Sequence, residues 1–258
     1  MTTLRHSFYM MVRQQLGLIR QPIWIFVTLI QPVIWLLLFG ALFSKVVEIP
    51  GFETTDYNQF LAPGIVIMTA LFSSGWSGMS MIEDMNKGIL DRFFVTPMKR
   101  SAFVTGRLAQ DAISLTVQSL IIVFLALIIG ATFPGGVIGV AVLILIGALL
   151  GAAFASYSNA LALVVRKEES LIGMVQFVVL PMTFISAAFM QPDLMPGWMQ
   201  TVAKFNPVNW AVTAGREAVM SPDIDWGFVG IRVLGILVIL AVGILLATRA
   251  FRSYQRSV

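Results

Sequence analysis

The chain contains no cysteine and a single histidine, His6, and only 12% of its 258 residues are charged. Without cysteine there are no disulfides, no thiolate nucleophile and no cysteine-based metal site. One terminal histidine with no accompanying acidic cluster excludes a protein metal centre of ordinary ligand spacing. No G-x-x-x-x-G-K-[ST] phosphate loop occurs, so the chain has no nucleotide-hydrolysing motif of its own. The apolar segments hold almost no ionisable residues, whereas an ion-coupled carrier needs such groups near mid-membrane. Asp111, four residues after Arg107, reads as a local i,i+4 pair, and Arg232 as a side chain that snorkels or pairs with Asp223 or Asp225. Intrinsic catalysis and a resident cofactor are not expected, and energy for any transport must come from elsewhere.

What the chain has in abundance is apolar length. It is 58% hydrophobic with a mean hydropathy of +0.87, against roughly twice this charged fraction in soluble domains. A hydrocarbon core about 30 Å thick takes roughly 20 helical residues. Six segments reach that length, at about 23–43, 61–82, 108–130, 137–165, 171–190 and 228–248. An all-α integral membrane protein follows, with one transmembrane domain over 23–258. No cleavable signal peptide is expected, because a full-length span opens after a polar, basic start.

Basic residues orient the spans. Arg5, Arg13 and Arg20 precede the first, and Lys87, Arg92, Lys99, Arg100 and Arg107 follow the second. Arg166 and Lys167 follow the fourth, and Arg249, Arg252 and Arg256 follow the sixth. Only Lys45, Lys204, Arg216 and Arg232 fall on the other side. The positive-inside bias therefore puts both termini in the cytosol. Residues 1–22 form an amphipathic interface helix, with Leu4, Phe8, Met11, Val12 and Ile19 on one face and Arg5, Arg13 and Gln14 on the other. Between the fifth and sixth spans, prolines and tryptophans predict two short helices dipping into the outer leaflet, near 197–204 and 210–220. Gly147 and Gly151, continued by Ala155, make a GxxxG face for close helix packing.

The stretch from Glu83 to Arg100 is built for water and a protein partner. Ile89, Leu90, Phe93 and Phe94 recur at helical spacing among charged residues, which predicts a short amphipathic helix bounded by Gly88 and Pro97. An ordinary charged loop is the plain alternative.

The order of these features, with Tyr57-Asn58-Gln59-Phe60-Leu61-Ala62-Pro63-Gly64 entering span two, Lys87-Gly88-Ile89-Leu90-Asp91-Arg92-Phe93 in the first large cytosolic loop, Thr96-Pro97, Met195-Pro196-Gly197-Trp198 and Asn206-Pro207-Val208, resembles the membrane subunit of an ABC-2-type exporter, nearest the daunorubicin-resistance permeases. The resemblance covers nearly the whole chain. It implies a bacterial inner-membrane permease, paired with a second copy of itself or a related permease and with separate ATP-binding subunits that use ATP and magnesium. It further implies that Glu83, Asp84, Gly88, Ile89, Leu90, Asp91, Arg92, Phe93, Phe94, Thr96, Pro97 and Arg100 form the ATPase-coupling loop. Arg166, Lys167 and Glu168 would give a second, smaller contact. Trp35, Phe39, Phe72, Trp76, Met182 and Phe184 are candidates for lining an amphiphile's route, methionine suiting varied shapes. A lipid-linked polysaccharide cargo, or a membrane protein that recruits an ATPase without transporting, are the alternatives.

Overall fold

A computed structural model describes residues 22–50, 52, 54, 56–89 and 100–255. The expected interface helix before Pro22 and the loop residues Leu90 to Lys99 lie outside the described residues. Every described element is helical. Helix α1 spans Pro22–Leu42, α2 Tyr57–Gly75, α3 Ser77–Asn86, α4 Arg100–Ile128, α5 Gly136–Val165, α6 Glu168–Phe184, α7 Gly197–Ala203, α8 Pro207–Met220 and α9 Trp226–Gln255, with 3-10 turns at Ser44–Glu48 and Pro192–Leu194.

Among the described residues, four stretches are long and apolar enough to cross a membrane: Tyr57–Asn86, Gly106–Ile128, Gly136–Val165 and Trp226–Tyr254. Helix α1 has 21 residues. Helix α6 has 17 residues, a rise of about 25 Å. Helix α5 is the spine, packing against α2, α3, α4, α8 and α9. Helix α2 is central: 72% of its most apolar window is buried, against 17% for α9, whose Leu234, Val238 and Leu245 point outward. An apolar surface of this kind fits lipid as solvent.

Boundaries depart from the sequence reading for local reasons. Helix α2 starts at Tyr57 rather than Leu61 because the Asp56 side chain accepts the Asn58 N–H at 2.9 Å, an N-cap. The second span is broken at Trp76, where α2 hands over to α3. The fifth stops at Phe184 instead of Met190, one turn after Pro181. The sixth continues past Thr248 to Gln255, since Phe251 and Tyr254 are buried in a second apolar cluster with Met81, Ile82, Leu163 and Leu171.

Both short helices expected between spans five and six are present as α7 and α8. Helix α8 runs antiparallel to the start of α9: Glu217 meets the Asp225 N–H, Thr213 meets Arg232, and the Trp210 ring fills the space beside Gly235. The N-terminal end of α8 is therefore the end nearer the middle of α9.

Candidate functional site

Gly75, Trp76 and Ser77 interrupt the hydrogen-bonded ladder between α2 and α3, and side chains from α4 and α5 take up the freed groups. Ser158 Oγ donates to the Gly75 carbonyl at 2.5 Å and accepts the Gly78 N–H at 3.0 Å, stitching α5 across the break. The fit is tight. A Cβ on Gly78 would sit 2.5 Å from the Ser158 carbonyl oxygen. Ser77 Oγ donates to Asp111 Oδ2 at 2.8 Å and lies 3.3 Å from Asn159 Nδ2. The Asn159 Oδ1 atom is buried without a partner among the described residues.

Beside this knot, Arg107 Nη1 donates to Asp84 Oδ2 at 2.9 Å, and Nη2 donates to Ser80 Oγ. Only 1% of the Arg107 side chain is exposed. Arg107 makes an ion pair with Asp84 across the α3–α4 interface, and its charge also acts on Asp111, four residues on. Arg107 and Arg216, which lie outside the six apolar segments, are both buried. A buried charge is tolerated when paired and hydrogen-bonded, and Arg107 is both.

These contacts brace the two legs of the loop that α3 enters and α4 leaves. Glu83 and Asp84 lie in the last turn of α3, with Glu83 paired to Lys87 at 3.1 Å in solvent. Gly88 closes the helix in the left-handed region, φ +63°, its N–H on the Met85 carbonyl. Ile89 is half-buried. Leu90, Asp91, Arg92, Phe93, Phe94, Thr96 and Pro97 lie outside the described residues, and Arg100 opens α4. The connection after α5 is brought to the same end of the body. Arg166 caps α5 at φ 58° with its guanidinium 4.7 Å from the centre of the Tyr254 ring. Lys167 is exposed, and Glu168 begins α6. Met81 and Ile82 before the loop, Leu163 and Leu171 on either side of the connection, and Phe251 and Tyr254 at the end of α9 share one apolar cluster.

Of the residues expected along a cargo route, three gather. Trp35 stacks on Phe39 at 5.0 Å, and Phe189 lies 5.7 Å from Trp35, 5.1 Å from Phe39 and 5.8 Å from Phe184. Phe189 is a residue that sequence reading passed over. Phe72 and Trp76 are half-buried and stand apart from this row. Met182 lines a shallow apolar cavity of about 290 Å³ with Pro181, Ile185, Phe205 and Pro207. On α5, Gly147 and Gly151 face α2: added Cβ atoms would lie 3.6 Å from Ile67 and 2.8 Å from Ser74 Oγ, and Ala155 is fully buried.

The irregular chain after α6 is held by side chains from the start of α2 and from α8 and its N-cap. The Arg216 guanidinium donates to the carbonyls of Ala187 at 2.7 Å and Phe60 at 3.2 Å and lies 3.6 Å from the centre of the Phe60 ring. Asn206 Nδ2 donates to the Met182 and Ile185 carbonyls, while its Oδ1 accepts the Val208 N–H and caps α8. Tyr57 donates to the Phe189 carbonyl at 3.0 Å, and the Asn209 side chain accepts the Ala187 N–H. Non-helical backbone deep in an apolar body persists only when its polar groups are answered this way. Arg232 contacts Thr213 and the Phe228 carbonyl rather than Asp223 or Asp225.

Known proteins are similar to this chain in sequence. A daunorubicin resistance ABC transporter permease of Streptomyces coeruleorubidus is 32% identical over 196 residues, covering 76% of this chain and 68% of that protein. A putative transport permease of Cyanophora paradoxa is 31% identical over 215 residues, 81% of this chain and 72% of its own. A probable doxorubicin resistance ABC transporter permease of Mycobacterium tuberculosis is 23% identical over 223 residues, 86% and 80% of the two chains. The ABC-2 type transporter pattern itself matches residues 6–220, which takes in the loop root, the spine and both short helices. A chain with apolar spanning helices, no phosphate loop and this match over most of its length belongs to the ABC-2 type transporter family, as a membrane permease.

Proposed function

We propose that this chain is the permease of an ATP-driven exporter that moves a hydrophobic or amphipathic small molecule out of the cell, and that separate ATPase subunits grip it at Glu83–Arg100 and at Arg166–Ser170. The observation that carries the reading is the apolar cluster of Met81, Ile82, Leu163, Leu171, Phe251 and Tyr254, which joins the roots of both connections to the end of α9. A push on one is thereby a push on all, and the Arg107–Asp84 bridge keeps the loop's two legs from splaying. In the six-span reading, with both termini in the cytosol of a bacterial cell, α1 and α6 complete the set of spans and face a second permease. Ile89, Leu90, Phe93 and Phe94 are the apolar anchors at the ATPase, and Asp91, Arg92 and Arg100 set register at the rim, the usual division of labour at an interface.

The cargo class is supported by the drug-resistance permeases among the relatives and by the aromatic row of Trp35, Phe39, Phe184 and Phe189, which offers rings to a flat apolar molecule. The test is export of daunorubicin from proteoliposomes holding the permease with its ATPase subunits. Transport requires ATP and both components, and Phe93→Ala lowers cargo-stimulated ATP hydrolysis and export together. Full-rate transport by the permease alone, or intact stimulation in Phe93→Ala, would defeat the reading.

A further inference from the structure

Helix α9 carries a cation, Arg232, that no carboxylate among the described residues answers. Arg232 Nε donates to Thr213 Oγ1 at 3.0 Å, and Nη1 donates to the Phe228 carbonyl at 3.3 Å. The guanidinium lies 3.3 Å from the centre of the Phe228 ring. Thr213 is itself fixed, its hydroxyl donating to the Asn209 carbonyl at 2.8 Å. A guanidinium has five N–H donors, so most of its fork is left without an acceptor among the described residues. Neither ion pair among the described residues includes Arg232. Two of the carboxylates at this end of α9 are engaged elsewhere: Asp225 Oδ1 caps the helix at the Phe228 N–H, and Glu217 Oε1 accepts the Asp225 N–H. The third, Asp223, is exposed and makes no ion pair with Arg232.

The level of this side chain along α9 identifies what would answer it. Trp226, 59% exposed, begins the helix, and tryptophan favours the membrane–water boundary. Arg232 follows about 9 Å along the axis, and its bond to the Phe228 carbonyl turns the head group back toward that boundary. The exposed Arg249 lies about 26 Å further along, so the two arginines bracket a length close to a hydrocarbon core of about 30 Å. Exposed Leu234, Val238 and Leu245 fill the interval. Arginine matches phosphate oxygens through paired N–H groups. We propose that Arg232, oriented by Thr213 and Phe228, binds the phosphodiester of a phospholipid at the membrane boundary marked by Trp226, and so fixes the depth of the α8–α9 pair.

The experiment compares intact permease purified in an uncharged detergent with its Arg232→Gln and Arg232→Lys variants. Each is supplied with phosphatidylglycerol, with diacylglycerol or with inorganic phosphate, then followed by native mass spectrometry and thermal unfolding. Wild-type protein should retain one more phosphatidylglycerol per chain than Arg232→Gln. Arg232→Lys, which keeps the charge without the fork, should retain at least about threefold less than wild type. Diacylglycerol should not distinguish the three proteins, and inorganic phosphate should not raise the unfolding temperature. Equal phosphatidylglycerol retention by wild type and Arg232→Gln would overturn the proposal. Full retention by Arg232→Lys would do the same, and that result stands even where Arg232→Gln does not fold. Stabilisation by inorganic phosphate alone would reassign the site to a small anion and overturn the lipid.

Discussion

Arg107 and Asp84 stand 2.9 Å apart across the α3–α4 interface, joining the last turn before the α3–α4 loop to the second turn after it. Twenty-two residues of chain lie between them. The pair sits just below the break at Trp76, so α3 has a hinge above it and a clamp at its side. Beside the pair, Ser77 ties α3 to α4 and Ser158 ties the break to the spine helix α5.

Removing one member of this pair leaves the other charge without its partner, so Arg107→Ala should lower stability by about 3–5 kcal/mol. The double variant Arg107→Met with Asp84→Leu should recover most of that loss, because apolar residues of similar volume fill a buried pair's place at little cost. Thermal unfolding in detergent measures this. Cargo-stimulated ATP hydrolysis of the reassembled complex measures the rest, and it should stay depressed in the double variant. Full stimulation there would show that the pair only packs.

The glycines facing α5 and its neighbours should differ in a predictable order. A methyl on Gly78 meets the backbone oxygen of Ser158 at 2.5 Å, which has no rotamer to yield, so Gly78→Ala should cost about 1–3 kcal/mol. A methyl on Gly147 meets only side-chain carbons at 3.6 Å and beyond, an ordinary contact. Gly147→Ala should then be neutral, or stabilising by up to about 1 kcal/mol through helix propensity. Unfolding temperatures of the two variants, measured side by side, should separate accordingly. Equal destabilisation would mean that α5 does not approach α3 as closely as described.

What the sequence made legible was whatever depends on runs and local chemistry. The long apolar stretches of α4, α5 and α9 were placed to within a few residues or one turn at most ends, and α7 and α8 were foreshadowed by prolines and tryptophans. The pairing of polar side chains was not legible, because it is set by which helices touch. Arg107 has Asp111 four residues away in sequence, yet Asp84 meets it in space. Arg216 falls in a segment that reads as a short outer helix, and nothing in that pattern says that it reaches Phe60, 156 residues earlier. No periodicity encodes such a contact. Phe189 had no motif around it and gained meaning only when the end of α6 brought it beside Trp35 and Phe39. Trp76, a candidate for the cargo route, also marks a helix break that its ring gives no sign of.

Asn206 does two jobs with the two ends of one amide, and substitution can separate them. Its oxygen accepts the Val208 N–H at 2.9 Å and caps α8, while its nitrogen donates to the Met182 and Ile185 carbonyls at 2.6 and 2.9 Å where α6 ends. At an exposed N-cap, Asn and Asp are near equivalents, and either exceeds Ala by about 1 kcal/mol. Here Asp would keep the cap but turn a carboxylate toward two carbonyl oxygens, leaving both without a donor in a site where Asn206 is only 6% exposed. Each unanswered buried carbonyl costs about 1–3 kcal/mol. Asn206→Asp should therefore destabilise the protein at least as much as Asn206→Ala, reversing the order seen at surface caps. Hydrogen exchange should locate the damage in the chain between Phe184 and Asn206, with the Val208 amide protected in Asn206→Asp and exposed in Asn206→Ala. If Asn206→Asp matches wild type in both unfolding temperature and exchange, the amide nitrogen holds nothing that matters and α6 ends on other support.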